Sequence, residues 1–384
     1  MKETTNIKKE RLSNFELMRI VSMFMIVIWH VILHSSIKEY TLGATNFTVW
    51  VIYIVFCIHV DSFLLLTGYF QYDKEFKIKK VWNLFSRAWF YKVLFVCLFT
   101  ILGIETLTSV QFVDEILPLS KINDYWFINL YLVLYILSPF INLLIKNMDQ
   151  KMHRNLILIL ILLFSIIPFL SKNMFINQSG YSISHFIVMY IIGAYLHKYP
   201  IKDSYYFKNF TRKKRQIIFL SLTIFFALLN VLLYTFSQVL LTFKNPFLLE
   251  LETMITTFRN LYNSPIVILQ AICYLLFFET LNIKSKFINY VSALTLGIYM
   301  VHENHHVYNF IYHYIGFDSM ENMMSSTLII KIFVLGAIIF IVSAIIEIIT
   351  QNIFKLFGKM KFLNNIKSSI VNYFYELQNS RKNT

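Results

Sequence analysis

Two residues in the first apolar stretch have the types and spacing to act together. Arg19 and His30 are eleven residues apart, in a segment that also carries Glu16 and His34. On an α-helix that spacing is about 1100°, within about 20° of the same face, and about 16 Å along the axis. One face then holds a fixed cation at one end and an imidazole further along. An imidazole exchanges protons near neutrality, and a guanidinium grips anions with a rigid fork. Each residue alone also fits a plainer role: Arg19 reaching to headgroups, His30 bonding a neighbouring helix.

Other polar groups sit in apolar surroundings. His59 and Asp61 are two apart and do not share a helical face. An intramembrane Asp61 needs a partner, and Arg87, Lys92 or a histidine would serve, in a structural ion pair or a catalytic role. Asp124, Tyr125 and Trp126 open a later apolar stretch as an interfacial belt or a platform for a sugar. His302, Glu303, Asn304, His305 and His306 match H-E-x-x-H. If one helix ran through them, His302 and His306 would share a face and could bind zinc, with Glu303 as base. No third ligand of the metzincin kind follows. There is no phosphate-cradling loop, dinucleotide fingerprint or nucleophile elbow, which argues against ATP hydrolysis or a soluble serine hydrolase.

These residues must be positioned by membrane helices. Of 384 residues, 57% are hydrophobic and 15% charged, with a mean hydropathy of +0.59. Soluble proteins are about 45–50% apolar and about 25% charged. Hydropathy gives about ten spans of about 20 residues, near 15–34, 47–70, 82–103, 125–145, 155–170, 183–197, 216–236, 264–281, 287–306 and 328–350. The first is not a cleaved signal peptide, since it holds Arg19 and lacks a small-residue cleavage site. The predicted fold is all-α, a polytopic integral membrane protein with one bundle over 1–350. A basic amphipathic cytoplasmic tail over 351–384 would lie on membrane lipids.

The net charge of +14 would suggest nucleic acid in a soluble protein, but loop bias explains it better. With the N-terminus inside, Lys2–Arg11, Lys74–Lys80, Lys146–Arg154, Lys198–Arg215, Lys284–Lys286 and the tail all fall on the cytoplasmic side. The outer loops are nearly bare, which places both termini inside and leaves no call for a nucleic-acid partner. Cys57, Cys97 and Cys273 lie scattered in apolar runs and read as buried thiols.

Five segments resemble the integral-membrane acyltransferase 3 family, in its order and over nearly the whole chain. They are NFELMRIVSMFMIVIWHVILH at 14–34, FLLLTGYF at 63–70, YWFINLYLVLYILSPFIN at 125–142, HFIVMYIIGAYL at 185–196 and INYVSALTLGIYMVHEN at 288–304. Thr67 stands where the family usually has serine. Many members carry several arginines near the third span, where this chain has Arg87 and Lys92. The likeness is greatest to stand-alone members from Gram-positive bacteria that O-acetylate surface polysaccharides.

The resemblance implies acetyl-CoA as acyl donor, with no metal, and a glycan or lipid-linked saccharide as acceptor. It implies a multi-pass protein of the bacterial cytoplasmic membrane, acting alone or with polysaccharide-assembly proteins. It makes Arg19 and His30 essential. His30 would be the base or carry the acyl group, with Glu303 or Asp61 orienting an imidazole. Arg19, with Lys79, Lys80 and Arg87, would hold the anionic donor. Tyr125, Trp126 and His302 would meet the sugar. Two rivals stay open: a flippase or exporter using the same polar spans for passage, and an intramembrane metalloprotease at His302–His306.

Overall fold

The computed structural model describes residues 11–35, 37, 43–117, 125–170, 179–259, 262–314 and 325–357. Asp124 and most of the predicted tail lie outside them. Among the described residues there is no strand. Six helices are long and apolar enough to cross a membrane. They include α1 (Ser13–His34) and the pair α2 (Gly43–Val55) and α3 (His59–Gln71), joined by a tight turn at Phe56–Ile58. The others are α4 (Ile78–Ile101), α6 (Trp126–Lys146), α10 (Arg212–Thr242) and the last helix, α16 (Ser325–Phe357). Between α4 and α6 lies the short α5 (Ser109–Ile116), closed by a reciprocal capping box between Thr108 and Gln111.

The other predicted spans are shorter. The fifth is α7 (Gln150–Ile161), continued through a wide turn at Leu162–Ile166 into α8 (Ile167–Leu170). The sixth and eighth are α9 (Ile183–Lys198) and α12 (Pro265–Glu279), started by Ser182 and by Pro265 in the first turn. α11 (Pro246–Arg259) follows α10 and had no counterpart among the expected spans.

The ninth expected span is not continuous. It is broken into α13 (Lys286–Ser292), α14 (Thr295–His302) and α15 (His305–Asn309). Asn304 takes extended backbone, and its side chain accepts from the His306 N–H at 3.2 Å, so it starts α15 afresh. The H-E-x-x-H run therefore straddles a helix break.

α1 is central, packing against α3, α12, α13, α14 and α16. α3 crosses α9 with no room for side chains. A Cβ at Gly68 would meet the Tyr190 carbonyl oxygen at 2.0 Å, and one at Gly193 would meet that of Leu65 at 2.2 Å. Each glycine admits the other helix's backbone. On α16 the outward residues Ile330, Val334, Ile338, Ile341, Ile345 and Ile349 are each more than half exposed. Their spacing of three and four draws one lipid-facing stripe.

Two apolar clusters fill the interior. One centres on α3, α9 and α12, the other on α1, α4, α14 and α16. Residues of both line a single cavity: Val60, Leu66 and Tyr262 from the first, Met23, Ile26, Ile128 and Tyr299 from the second. The cavity lies at their seam.

Candidate active site

The cavity holds about 560 Å³ and is lined by both Arg19 and His30. The spacing read from the sequence thus puts both on one face of α1, turned into one space. At the Arg19 end, its guanidinium pairs with Glu16 at 2.8 Å and lies over the Phe70 ring at 5.5 Å. The Ser292 hydroxyl donates to Glu16, anchoring that carboxylate to α13. Lys74 also lines this end, its Nζ 5.6 Å from the centroid of the same Phe70 ring. Gln71 lines it too, and takes a hydrogen bond from Lys80 Nζ at 3.3 Å.

At the far end, the α14–α15 break delivers Glu303 to α1. Glu303 Oε2 lies 2.8 Å from His30 Nδ1 and 3.2 Å from His34 Nε2, so one carboxylate bridges two imidazoles. His30 Nδ1 is also 3.0 Å from His302 Nε2. The bonding pattern assigns the protons. His302 Nδ1–H donates to the Ile298 carbonyl at 2.5 Å, which leaves His302 Nε2 an acceptor in the neutral ring. His30 Nδ1 must then carry the hydrogen facing Glu303 and His302. Its Nε2 keeps the lone pair and can act as a base, as in other carboxylate-oriented imidazoles. His34 is stacked on Tyr308 at 4.1 Å, which holds its ring on Glu303.

Aromatic side chains form the wall beside this end. Trp126, Tyr181 and Tyr262 all line the cavity, with ring centroids 4.5 Å apart for Trp126 and Tyr181 and 6.1 Å for Trp126 and Tyr262. The Tyr262 hydroxyl donates to His59 Nε2 at 3.3 Å, since His59 Nδ1–H is committed to the Phe56 carbonyl at 2.6 Å. Trp29 lines the cavity beside His30, and its buried Nε1–H has no hydrogen-bond partner among the described residues.

Several sequence candidates sit elsewhere. Asp61 points away from the cavity and bonds His185 Nε2 at 2.7 Å, both fully buried, so a histidine is its partner. Arg87 pairs with the buried Glu347 of α16, which also accepts from the Tyr91 hydroxyl. Tyr125 does not line the cavity. Its hydroxyl donates to the Met300 carbonyl at 2.8 Å and accepts from Asn304 Nδ2 at 3.0 Å. It clamps the two sides of the break that presents Glu303. His302 lies behind His30 rather than on the cavity wall, and His306 turns to Glu105 at 2.6 Å. His302 and His306 therefore do not converge as the zinc reading required. Lys79 is exposed and is not part of the cavity wall.

Sequence reasoning did not assign Lys74, Gln71, Tyr181, Tyr262 or Tyr299 to the site. Lys74 carried a signal, as the basic residue just beyond the FLLLTGYF segment. The tyrosines carried none beyond the general abundance of aromatics.

Residues 12–348 match the profile of the acyltransferase domain of the acyltransferase 3 family. The chain belongs to that family. Neither a curated protein nor a solved structure matches it significantly. The family assignment makes this all-helical chain a membrane acyltransferase, and it covers both halves of the site, from Arg19 to Glu303.

Proposed function

We propose that this acyltransferase moves an acetyl group from acetyl-CoA to a hydroxyl of a cell-surface or lipid-linked glycan, with His30 as the general base. The observation that carries the reading is a single cavity with an anion-holding end at Arg19 and Lys74 and a carboxylate-oriented imidazole at the other. The two ends are about 16 Å apart along α1, and the extended pantetheine arm of coenzyme A separates its phosphates from its thioester on a comparable scale. Arg19 and Lys74 grip the phosphates. The orientation follows from charge: Lys74, Lys77, Lys79, Lys80 and Lys198 gather near the Arg19 end, which is the cytoplasmic one. The ten-span topology with both termini inside rests on the same bias.

At the other end, His30 Nε2 takes the proton of the acceptor hydroxyl as its oxygen attacks the thioester carbonyl carbon. The new C–O bond leaves a tetrahedral oxyanion, for which Trp29 Nε1–H is the available donor. Collapse breaks the C–S bond. The imidazolium gives its proton to the departing thiolate, leaving an acetyl ester and free coenzyme A. Glu303 stays ionised and stabilises the imidazolium between the two proton transfers, while His34 and His302 hold the ring in place. Trp126, Tyr181 and Tyr262 offer the stacked apolar and hydroxyl-bearing surface that a sugar ring fits.

The test is the O-acetyl content of the host's surface polysaccharides, measured by proton NMR. Strains would lack the gene or carry it as wild type or as His30→Ala at equal membrane abundance. The acetyl signal should vanish on deletion and return only with wild type. Unchanged acetylation with loss of surface polymer would overturn the reading in favour of export.

A further inference from the structure

A second cluster of titratable groups lies beyond the His30 end, off the cavity. α5 packs on α4, and α15 packs on α4 beside it. α5 buries its acid and exposes its valines: Glu115 is 3% exposed, whereas Val110 is 80% and Val113 51% exposed. Glu115 faces His305 and His306, whose rings lie 3.8 Å apart. One nitrogen of each ring and one Glu115 oxygen all lie within 4.8 Å of one another.

The protonation pattern of His306 decides what this cluster is suited to hold. His306 Nδ1–H donates to Glu105 Oε2 at 2.6 Å. Its Nε2 therefore carries a lone pair, and that atom is buried with no hydrogen-bond partner among the described residues, in a residue only 1% exposed. An imidazole with one nitrogen tied to a carboxylate and the other bare is the arrangement that metal-ligating histidines adopt. His305 Nε2 and Glu115 Oε1 are 3.7 Å apart. That is too long for a hydrogen bond. It is close to the ~3.3 Å expected between two ligands bound at about 2.0 Å to one tetrahedral ion.

We propose that Glu115, His305 and His306 form a transition-metal site, best suited to zinc, with Glu105 as the outer carboxylate that fixes the His306 tautomer. Two imidazoles and a carboxylate with a fourth position open to water are a zinc ligand set. The site ties α5 to α15, two residues beyond Glu303. Metal binding there stiffens the turn that carries the bridging carboxylate. The ligands are distinct from His302, which is engaged with His30.

The experiment uses the full chain purified in detergent, stripped by a chelator and then titrated with zinc against a chromophoric competitor. Cobalt would be titrated in parallel for its visible absorption. The wild type should take up one equivalent, with an intense tetrahedral cobalt spectrum. Glu115→Gln and His306→Ala should each weaken binding at least a hundredfold. Glu105→Gln should weaken it about ten- to a hundredfold, as for other outer-carboxylate changes. Should Glu115→Gln or His306→Ala fail to fold, His305→Gln, at a partly exposed side chain, serves in their place. Glu303→Gln should leave the metal in place. The proposal is overturned if the folded wild type binds no stoichiometric metal. It is equally overturned if Glu303→Gln abolishes binding while His306→Ala retains it, because the ion then sits on His30, His34 and Glu303. Neither outcome depends on which acyl group or acceptor the enzyme uses.

Discussion

Replacing Glu303 with glutamine separates its charge from its shape. The amide keeps nearly the same volume and can still accept from His34 and His30. What goes is the negative charge 2.8 Å from His30 Nδ1. In the proposed mechanism that charge matters only once His30 is protonated. The imidazolium charge is spread over the ring, so the effective separation is about 4 Å, and at an effective dielectric of about 20 the lost attraction is about 4 kcal/mol. With 1.36 kcal/mol for each tenfold, the rate should fall about a thousandfold. The amide can also turn its NH₂ toward His30 Nδ1, which favours the tautomer whose Nε2 already holds a hydrogen and cannot act as base. Both effects lower kcat and leave the donor KM unchanged, because Arg19 and Lys74 are far from the change. The assay is transfer of label from acetyl-labelled CoA into alkali-labile ester in membrane vesicles, at matched protein abundance. Activity of Glu303→Gln within tenfold of wild type would refute the assignment of Glu303 as the partner of the base.

Four further outcomes are expected. Arg19→Gln and Lys74→Ala should each raise the donor KM by about ten- to a hundredfold, the worth of one charge-assisted hydrogen bond, with kcat little changed in steady-state kinetics. Trp126→Ala should raise the acceptor KM by about fivefold, from the loss of roughly 1 kcal/mol of aromatic contact, without altering donor KM. Gly193→Ala should lower the melting temperature of the detergent-solubilised protein and its membrane abundance, because its Cβ would sit 2.2 Å from the Leu65 carbonyl oxygen, an overpacking that costs about 1–3 kcal/mol or more. Tyr125→Phe should lower kcat about tenfold with both KM values preserved, since it removes the clamp on Met300 and Asn304 at a cost of about 1–2 kcal/mol.

The pairing of Arg19 with His30 was legible because helical periodicity is local: eleven residues fix a face without knowledge of any neighbour. Partners across helices were not. Asp61 had three sequence candidates, and His185, more than a hundred residues away, could not be separated from the others. Tyr125 read as interfacial belt or as a platform for a sugar because its tie to Met300 depends on α6 and α14 being adjacent. The break after His302 had a usable signal, an asparagine between His302–Glu303 and the His305–His306 pair, but hydropathy smoothed over it. Glu347 carried a signal that went unused, an acid inside the last apolar stretch, and it is the group that holds Arg87.

The glycine contact between α3 and α9 has a mechanical consequence. Where two backbones touch, helices have no side-chain cushion to compress and no slack in which to slide. The wall of the cavity that α3 supplies, from His59 to Gln71, is therefore a fixed rail. Any widening needed to admit a bulky acceptor must be taken up by the other walls, among them α6, which contributes Trp126, Phe127, Ile128 and Tyr131 and carries Pro139 within its length. A proline there removes one rung of the helix ladder and supplies a hinge. Entry would then be a bending of α6 against an immobile α3.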